Sequence, residues 1–399
     1  MSRTAHINTI ILKVASPCNL NCSYCYEYNR GDTSWKLKPA SLSVERCSLL
    51  GSRVRDYCSS VRLQEFGINL HGGEPMLVGP RRIAEAIDTI RSTAAPVQVR
   101  FGMQTNGTLT SPEMVDVLAE RNVNVGVSLD GDAYSNRNRV DHKGRETRDA
   151  TIRGISLLKN AGIFAGIQAV IDLDSEPETV LDSLFELAPP MLELTIPFGS
   201  HDNPPQTDLK RFSLDDWLCR AFDHWVNTPA LSGIRVRLLQ DALEAVLTEH
   251  SISEWFPAVP PGYLVVATDG AYEGLDTLKV VGSEGRILNL NVQDAAIADA
   301  LMHPSIVMRA SPQQLCEMCQ QCAIVKWCNG GYLPTRYGLG RGFKNPSVYC
   351  ADLKQFFSHI AKWALAHSQI PDSIRTRISQ RLEVLSRDGQ SFRTNPVNL

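Results

Sequence analysis

Along the first 235 residues the chain alternates short apolar runs with longer segments whose apolar residues recur every three or four positions. The short runs are INTIILKV (7–14), EFGINLH (65–71), VQVRFGMQT (97–105), VNVGVSL (123–129), IFAGIQAVI (163–171) and LELTI (192–196). Their length and apolar character predict strands. Helical periodicity covers 43–60, 80–92, 112–121, 147–161, 176–188 and 213–228. Strand–helix repeats of this kind predict a parallel sheet with helices outside, an α/β class. Six units do not close an eight-stranded barrel, so the pattern predicts a partial (β/α)6 barrel. After 235 the pattern changes. A Pro-rich break (256–262) precedes a hairpin over 263–281 with its turn at Asp269–Gly270, then a short helix near 293–302. A cysteine-rich stretch, a helix near 351–368 and an irregular tail from 389 follow. The expected organisation is a barrel domain over 1–235 and a smaller domain over 236–399.

In either an open or a partial barrel, ligands gather at the carboxyl ends of the strands. Four polar, glycine-containing loops fall there: the cysteine loop after the first strand, HGGEP after the second, QTNGT after the third and SLDGD after the fourth. Each alone is an ordinary turn; together on one rim they predict one active site.

Composition narrows the class. With 43% apolar and 21% charged residues, the chain reads as an ordinary globular protein, and its net charge of -3 argues against a broad basic surface for nucleic acid. No apolar stretch approaches the ~20 residues that span a bilayer. No secretory h-region is present either, so a cytoplasmic protein without membrane contact is expected. Eleven cysteines in a reducing compartment point to metal rather than disulfides. Cys18, Cys22 and Cys25 form one group, and Cys316, Cys319, Cys322, Cys328 and Cys350 a second. Cys47, Cys58 and Cys219 lie in helical segments and read as small buried hydrophobes.

Cys-x3-Cys-x2-Cys supplies thiolates for three irons of a cubane and leaves the fourth iron open. A three-cysteine zinc site completed by a residue such as His71 is the alternative by spacing alone. The second group reads by spacing as either a zinc ribbon or a cluster site.

CNLNCSYC, with Tyr24 directly before the third cysteine, followed by HGGEP, resembles the radical S-adenosylmethionine (SAM) superfamily over roughly the first 200 residues. The resemblance implies a [4Fe-4S] cluster on Cys18, Cys22 and Cys25 whose open iron binds SAM. Reductive cleavage of SAM would then give a 5′-deoxyadenosyl radical that abstracts hydrogen from substrate. It also implies that Gly72 and Gly73 allow close approach to the methionine part of SAM, and that Glu74 accepts from its ammonium group. Ser128 would touch SAM, Arg139 would pair with its carboxylate instead of standing as a surface charge, and Tyr24 would lie near the adenine. Gln104 and Asn106 could line the pocket, as could Gln168, whose strand alternation leaves its face open.

Cys319-x2-Cys322-x5-Cys328, with Cys350 following after 21 residues, resembles the second auxiliary-cluster set of the SPASM domain. Where the full SPASM pattern has further cysteines, this chain has Tyr332 and Leu275, and it has none between Cys219 and Cys316. The resemblance therefore implies one auxiliary [4Fe-4S] cluster in a twitch-like or degenerate SPASM domain, with Cys316 left over. Asp276, just after the lost hairpin cysteine, matches the general base of sulfatase-maturating relatives; read alone it is a hairpin carboxylate.

CNGGYLPTRYG and GFKNPSVYCADL resemble maturases of ribosomally made peptides, including those that join an aromatic ring to a β-carbon in three-residue cyclophanes. The implied activity is Cβ hydrogen abstraction and C–C bond formation in a precursor peptide, with an electron donor of the flavodoxin or ferredoxin type. Formylglycine-type oxidation, thioether formation and epimerisation are the alternatives within the enzyme class. A non-catalytic iron–sulfur or zinc scaffold is the alternative outside it, disfavoured because a scaffold has no use for HGGEP beside the cysteine loop.

Overall fold

The computed structural model describes residues 7–205, 210–231, 233–251, 253–256, 262–282, 286–307, 315–367 and 369–392, the last six without their side chains. The chain forms two compact units. The first comprises Met1–Asp172, Asp182–Phe198 and Pro261–Ser311; the second comprises Leu173–Leu181, Gly199–Pro260 and Pro312–Leu399.

Strands β1 (Thr9–Ala15), β2 (Glu65–Gly72), β3 (Gln98–Thr105), β4 (Asn124–Ser128), β5 (Phe164–Val170) and β6 (Met191–Thr195) alternate with helices α1 (Val44–Val61), α2 (Pro80–Ala94), α3 (Pro112–Glu120), α4 (Arg148–Asn160) and α5 (Pro177–Phe185). Ser43 and Ser111 cap α1 and α3 by accepting from the backbone N–H of Arg46 and Met114. β7 (Arg235–Val236) lies in the second unit; β8 (Tyr263–Val266), β9 (Ala271–Glu273) and β10 (Ile287–Asn291) return to the first. The first unit's strands follow the order β10-β9-β8-β1-β2-β3-β4-β5-β6, so the sheet is open. β1 to β6 are parallel, β8 pairs parallel with β1, and β9 turns back on β8.

Period-2 alternation separates two chemically different faces. Ile10, Leu12, Ile68, Leu70, Phe101, Met103, Val125, Val127, Leu192 and Leu194 are all buried and form the apolar face that the helices cover. The register places Lys13 beside His71, Gln104 beside Gly126, Ser128 beside Gln168 and Gln168 beside Glu193 on the opposite face. That face is a polar row across the sheet. A Cβ on Gly126 would collide with Gln104 Oε1, so glycine there leaves space for the longer side chain.

The hairpin turns at Asp269–Gly270 as expected, with Gly270 at φ +81°. Its second strand is shorter than the apolar run: β9 ends at Glu273 and Asp276–Val281 forms a 3-10 helix. The helix expected near 293–302 spans Ile297–Met302, and the one near 351–368 spans Cys350–Ala366.

In the second unit, Trp217, Phe222, Phe256, Trp327, Phe356 and Phe357 are fully buried, and Phe222 meets Trp363 edge-on at 5.4 Å. Two helices here correct the reading of the sequence. Arg237–Thr248 buries Leu238, Leu239, Ala242, Ala245 and Val246, spacings that trace one helical face. Asp372–Phe392 runs through the stretch expected to be irregular from 389, because no proline interrupts it and Ile378 anchors it at 0% exposure. Arg381 fixes that helix by donating to Glu249 and to the Ala323 carbonyl. The rest of the tail, and part of the Pro-rich break, lie outside the described residues. No described helix is long and apolar enough to cross a membrane.

Candidate functional site

The cysteine loop leaves β1 at Ala15 and docks against HGGEP. Gly72 has φ +141°, and a Cβ there would collide with the Ala15 carbonyl; one on Gly73 would collide with Tyr28 Oη and the Pro17 carbonyl. With no Cβ in the way, the N–H groups of Gly73 and Glu74 donate to the Ala15 and Pro17 carbonyls at 3.0 and 3.1 Å. The close approach these glycines permit in the protein itself is therefore to the backbone that leads into Cys18.

Glu74 is 0% exposed. Its Oε1 accepts from Met76 N at 3.0 Å and Thr105 Oγ1 at 2.6 Å, and its Oε2 from Asn106 N at 2.8 Å, tying the rim of β2 to that of β3. Burial pushes its carboxyl up, and the hydrogen bonds from Thr105, Asn106 and Met76 oppose that rise. Replacing Glu74 by Ala leaves three buried donors without an acceptor. The expected cost is about 3 kcal/mol or more in denaturant unfolding, with a smaller loss for Glu74→Gln.

Cys18, Cys22 and Cys25 are free, partly exposed thiols. Leu20 N donates to Cys18 Sγ at 3.4 Å, and Asn106 Nδ2 lies 3.9 Å from the same sulfur. Asn106 also donates to Asn19 Oδ1 at 2.9 Å and accepts from Thr108 N and Oγ1, so it braces the cysteine loop. Burial, with smaller contributions that include the charge of the neighbouring cysteines, pushes the Cys18 thiol up to about 12 and Cys25 to about 11. Three sulfurs in one another's field are costly as thiolates unless metal charge compensates them. No group of three or more His, Cys, Asp or Glu among the described residues is spaced to hold a single metal ion. A cubane takes each thiolate on a different iron, so a set of three thiols fits it better than it fits a tetrahedral zinc site, which needs a fourth ligand.

Tyr24 and Arg139 meet in one buried unit. Arg139 Nη1 donates to Tyr24 Oη at 2.7 Å and lies 3.9 Å from Asp130, and the Tyr24 hydroxyl donates to Asp130 Oδ2. Asp130 Oδ1 accepts from Val170 N at 3.0 Å. Arg139 is 7% exposed and so is no surface charge. Sequence reasoning missed Asp130; its signal was the aspartate that closes β4 in SLDGD. Gln104 Nε2 donates to Ser128 Oγ at 2.9 Å, and Gln168 Nε2 to Thr195 Oγ1 at 3.1 Å, which puts Gln168 on the polar face with Ser128.

Asp276 is buried at the same unit's polar face. Tyr26 Oη donates to its Oδ2 at 2.7 Å and Lys13 Nζ lies 3.9 Å away. Burial alone would push its carboxyl up; Lys13, His71, the Tyr26 hydroxyl and Lys279 outweigh burial and hold it below the usual carboxylate range. Lys13 Nζ also donates to Glu27 Oε2 at 2.6 Å, and Lys279 pairs with the other Glu27 oxygen. Nearby, Glu273 takes Lys38 and Arg286, each at 3.0 Å. This buried ion network joins the residues after Cys25 to the hairpin, and it was invisible in the local sequence.

In the second unit, Cys319, Cys322, Cys328 and Cys350 line one cavity, with Ile324, Val325, Gly330, Ser347 and Lys354 completing the wall. Four thiols around one apolar cavity can ligate a cubane fully. Cys316 stands beside Cys319 and does not line this wall. Tyr332 is buried against Trp255 at 4.9 Å, and in the first unit Leu275 is buried, so apolar packing fills two positions where the full SPASM pattern has cysteines. Cys47 and Cys58 are buried in α1, and Cys219 is partly buried.

Residues 13–184, which carry the three-thiol loop and the HGGEP loop on the rim of the open parallel sheet, match the radical SAM superfamily, and this match supports a radical SAM enzyme. Members of that superfamily use SAM and a [4Fe-4S] cluster. The chain is 27% identical over 364 residues to the serine-type anaerobic sulfatase-maturating enzyme of Klebsiella aerogenes, covering 88% of this chain and 84% of that one. It spans about half the length of an uncharacterised Methanocaldococcus jannaschii protein, with 28% identity over 162 residues. Among solved structures, anSMEcpe with bound AdoMet superposes with a TM-score of 0.77 at 22% identity, covering 88% of this chain and 96% of that one. SuiB of Streptococcus suis superposes with a TM-score of 0.61 at 14% identity, covering 87% and 77%. The shared fold extends well beyond the barrel.

Proposed function

We propose that the chain is a peptide maturase that joins an aromatic ring to the Cβ of a nearby residue in a ribosomally made precursor. The observation that carries this reading is a three-thiol rim loop together with a four-thiol cavity, while Tyr332 and Leu275 occupy two of the remaining SPASM positions. Relatives of the same fold support a peptide substrate: anSMEcpe has been solved with the Cp18Cys peptide and SuiB with its precursor peptide SuiA.

In this reading Cys18, Cys22 and Cys25 hold the SAM-binding cluster, and Cys319, Cys322, Cys328 and Cys350 the auxiliary one. When bound, these groups supply a primary-carbon radical that removes a substrate hydrogen atom, and a one-electron acceptor. Arg139, fixed by Tyr24 and Asp130, presents a buried cation to the SAM carboxylate. Gln104, Ser128 and Gln168 offer amide and hydroxyl groups along the polar row. Asp276 receives on its carboxylate the proton lost when the aromatic ring re-forms, with the Tyr26 hydroxyl steadying Oδ2. The substrate loses one hydrogen atom, one electron and one proton, a net loss of two hydrogens, and gains one C–C bond. An electron donor of the flavodoxin or ferredoxin type would serve the first cluster.

The similarity to sulfatase-maturating enzymes favours a second reading, oxidation of a serine to formylglycine. That reaction also removes two hydrogens but leaves an aldehyde. Anaerobic reconstitution with SAM, reductant and a candidate precursor peptide tests both readings: the expected product lacks two hydrogens and does not react with a hydrazide probe.

A further inference from the structure

Arg336 is 6% exposed in the second unit, at the end of the 3-10 turn Leu333–Arg336 that follows Gly330 and Gly331. Its Nη2 donates to the Phe343 carbonyl at 2.9 Å, and its own carbonyl accepts from Asn345 Nδ2 at 3.1 Å, so the side chain is anchored. A Cβ on Gly330 would lie 3.8 Å from Arg336 Nε, and Gly330 is part of the wall of the four-cysteine cavity. The guanidinium therefore stands directly behind that wall. Burial pushes it below its usual range, and the sulfurs of Cys319, Cys316 and Cys328 pull the other way. A cluster with four thiolate ligands carries net negative charge in each of its working states, so a cluster held in this cavity would set that charge beside the buried guanidinium.

Taking the auxiliary cluster of the preceding reading as given, we propose that Arg336 is its built-in counter-charge and raises its reduction potential, making the cluster a better electron acceptor. Adding an electron increases the negative charge beside the guanidinium, so the reduced state gains more than the oxidised state. Arg336 acts here through the cluster and is a positioning charge. Lys354 also lines the cavity, beside Cys350, but it is only partly buried and solvent screens its charge more.

The test uses the full chain with Cys18, Cys22 and Cys25 replaced by Ala, so that iron resides only at the second site. About four irons per chain are expected there; no iron would refute the auxiliary-cluster reading itself, separately from the role of Arg336. In that background an EPR-monitored redox titration should show Arg336→Gln lowering the potential by about 59 mV or more, a tenfold shift in the one-electron equilibrium. Arg336→Lys should restore most of it, and Lys354→Gln should shift it less. If Arg336→Gln loses iron, retention of iron by Arg336→Lys still supports the need for charge. The proposal is overturned if Arg336→Gln keeps its iron at an unchanged potential, if Lys354→Gln shifts it more, or if the Lys variant loses iron with the Gln variant.

Discussion

Replacing Cys22 by Ala should halve the iron content of the reconstituted protein, from about eight to about four per chain, and abolish reductive cleavage of SAM. Cys22 is one of only three thiols on the rim loop, and no other cysteine is available in that loop to substitute. The loop itself should survive, because its docking rests on Gly72, Gly73, Tyr28 and the buried Glu74 rather than on the thiol. Circular dichroism and unfolding midpoint should therefore stay close to those of the parent. The same substitution at Cys322 should also remove about four irons yet leave SAM cleavage, which separates the two sites by readout. About twelve irons in the parent would contradict the assignment of a single auxiliary cluster.

Asp276→Asn has the second-largest expected effect. It should lower formation of the modified peptide by about 10²–10⁴-fold while SAM cleavage continues, because the amide cannot take a proton at neutral pH. Asn keeps the shape and the hydrogen bond with Tyr26, and Lys13 retains Glu27 as a partner at 2.6 Å, so folding should be little disturbed. Tyr26→Phe removes only the hydrogen bond to Oδ2 and should cost less. Equal loss of SAM cleavage and product in Asp276→Asn would assign the residue to the ion network alone. Quantifying 5′-deoxyadenosine and peptide product in the same reaction distinguishes the two.

Much of the fold was legible because parallel strands and amphipathic helices impose different periods on the chain. β1 through β6 fall within a residue or two of the apolar runs, and the rim loops follow them. Helices Arg237–Thr248 and Asp372–Phe392 were not expected, the first lying between the barrel repeats and the Pro-rich break and the second carrying few apolar residues among many charged ones. The grouping of the cysteines was legible from spacing, since Cys18, Cys22 and Cys25 share one loop and Cys319, Cys322 and Cys328 lie close in the chain. The residues that hold those loops were not. Lys13, Glu27 and Lys279 form one ion group, yet 252 residues separate two of them. Asp130 looked like one more turn aspartate until Tyr24 and Arg139 met it. Glu74 was read for its charge, and the fold uses its oxygens to bind three donors on two rims. Pairings between distant strand ends depend on register, which no local pattern records.

The connectivity of the modified precursor peptide tests the central claim most directly. After anaerobic turnover with SAM and reductant, tandem mass spectrometry and NMR of the product should reveal a net loss of two hydrogens and a new bond from an aromatic ring carbon to the Cβ of a nearby residue. An aldehyde at serine, a thioether, or an unchanged mass with deuterium taken up from D2O would contradict it.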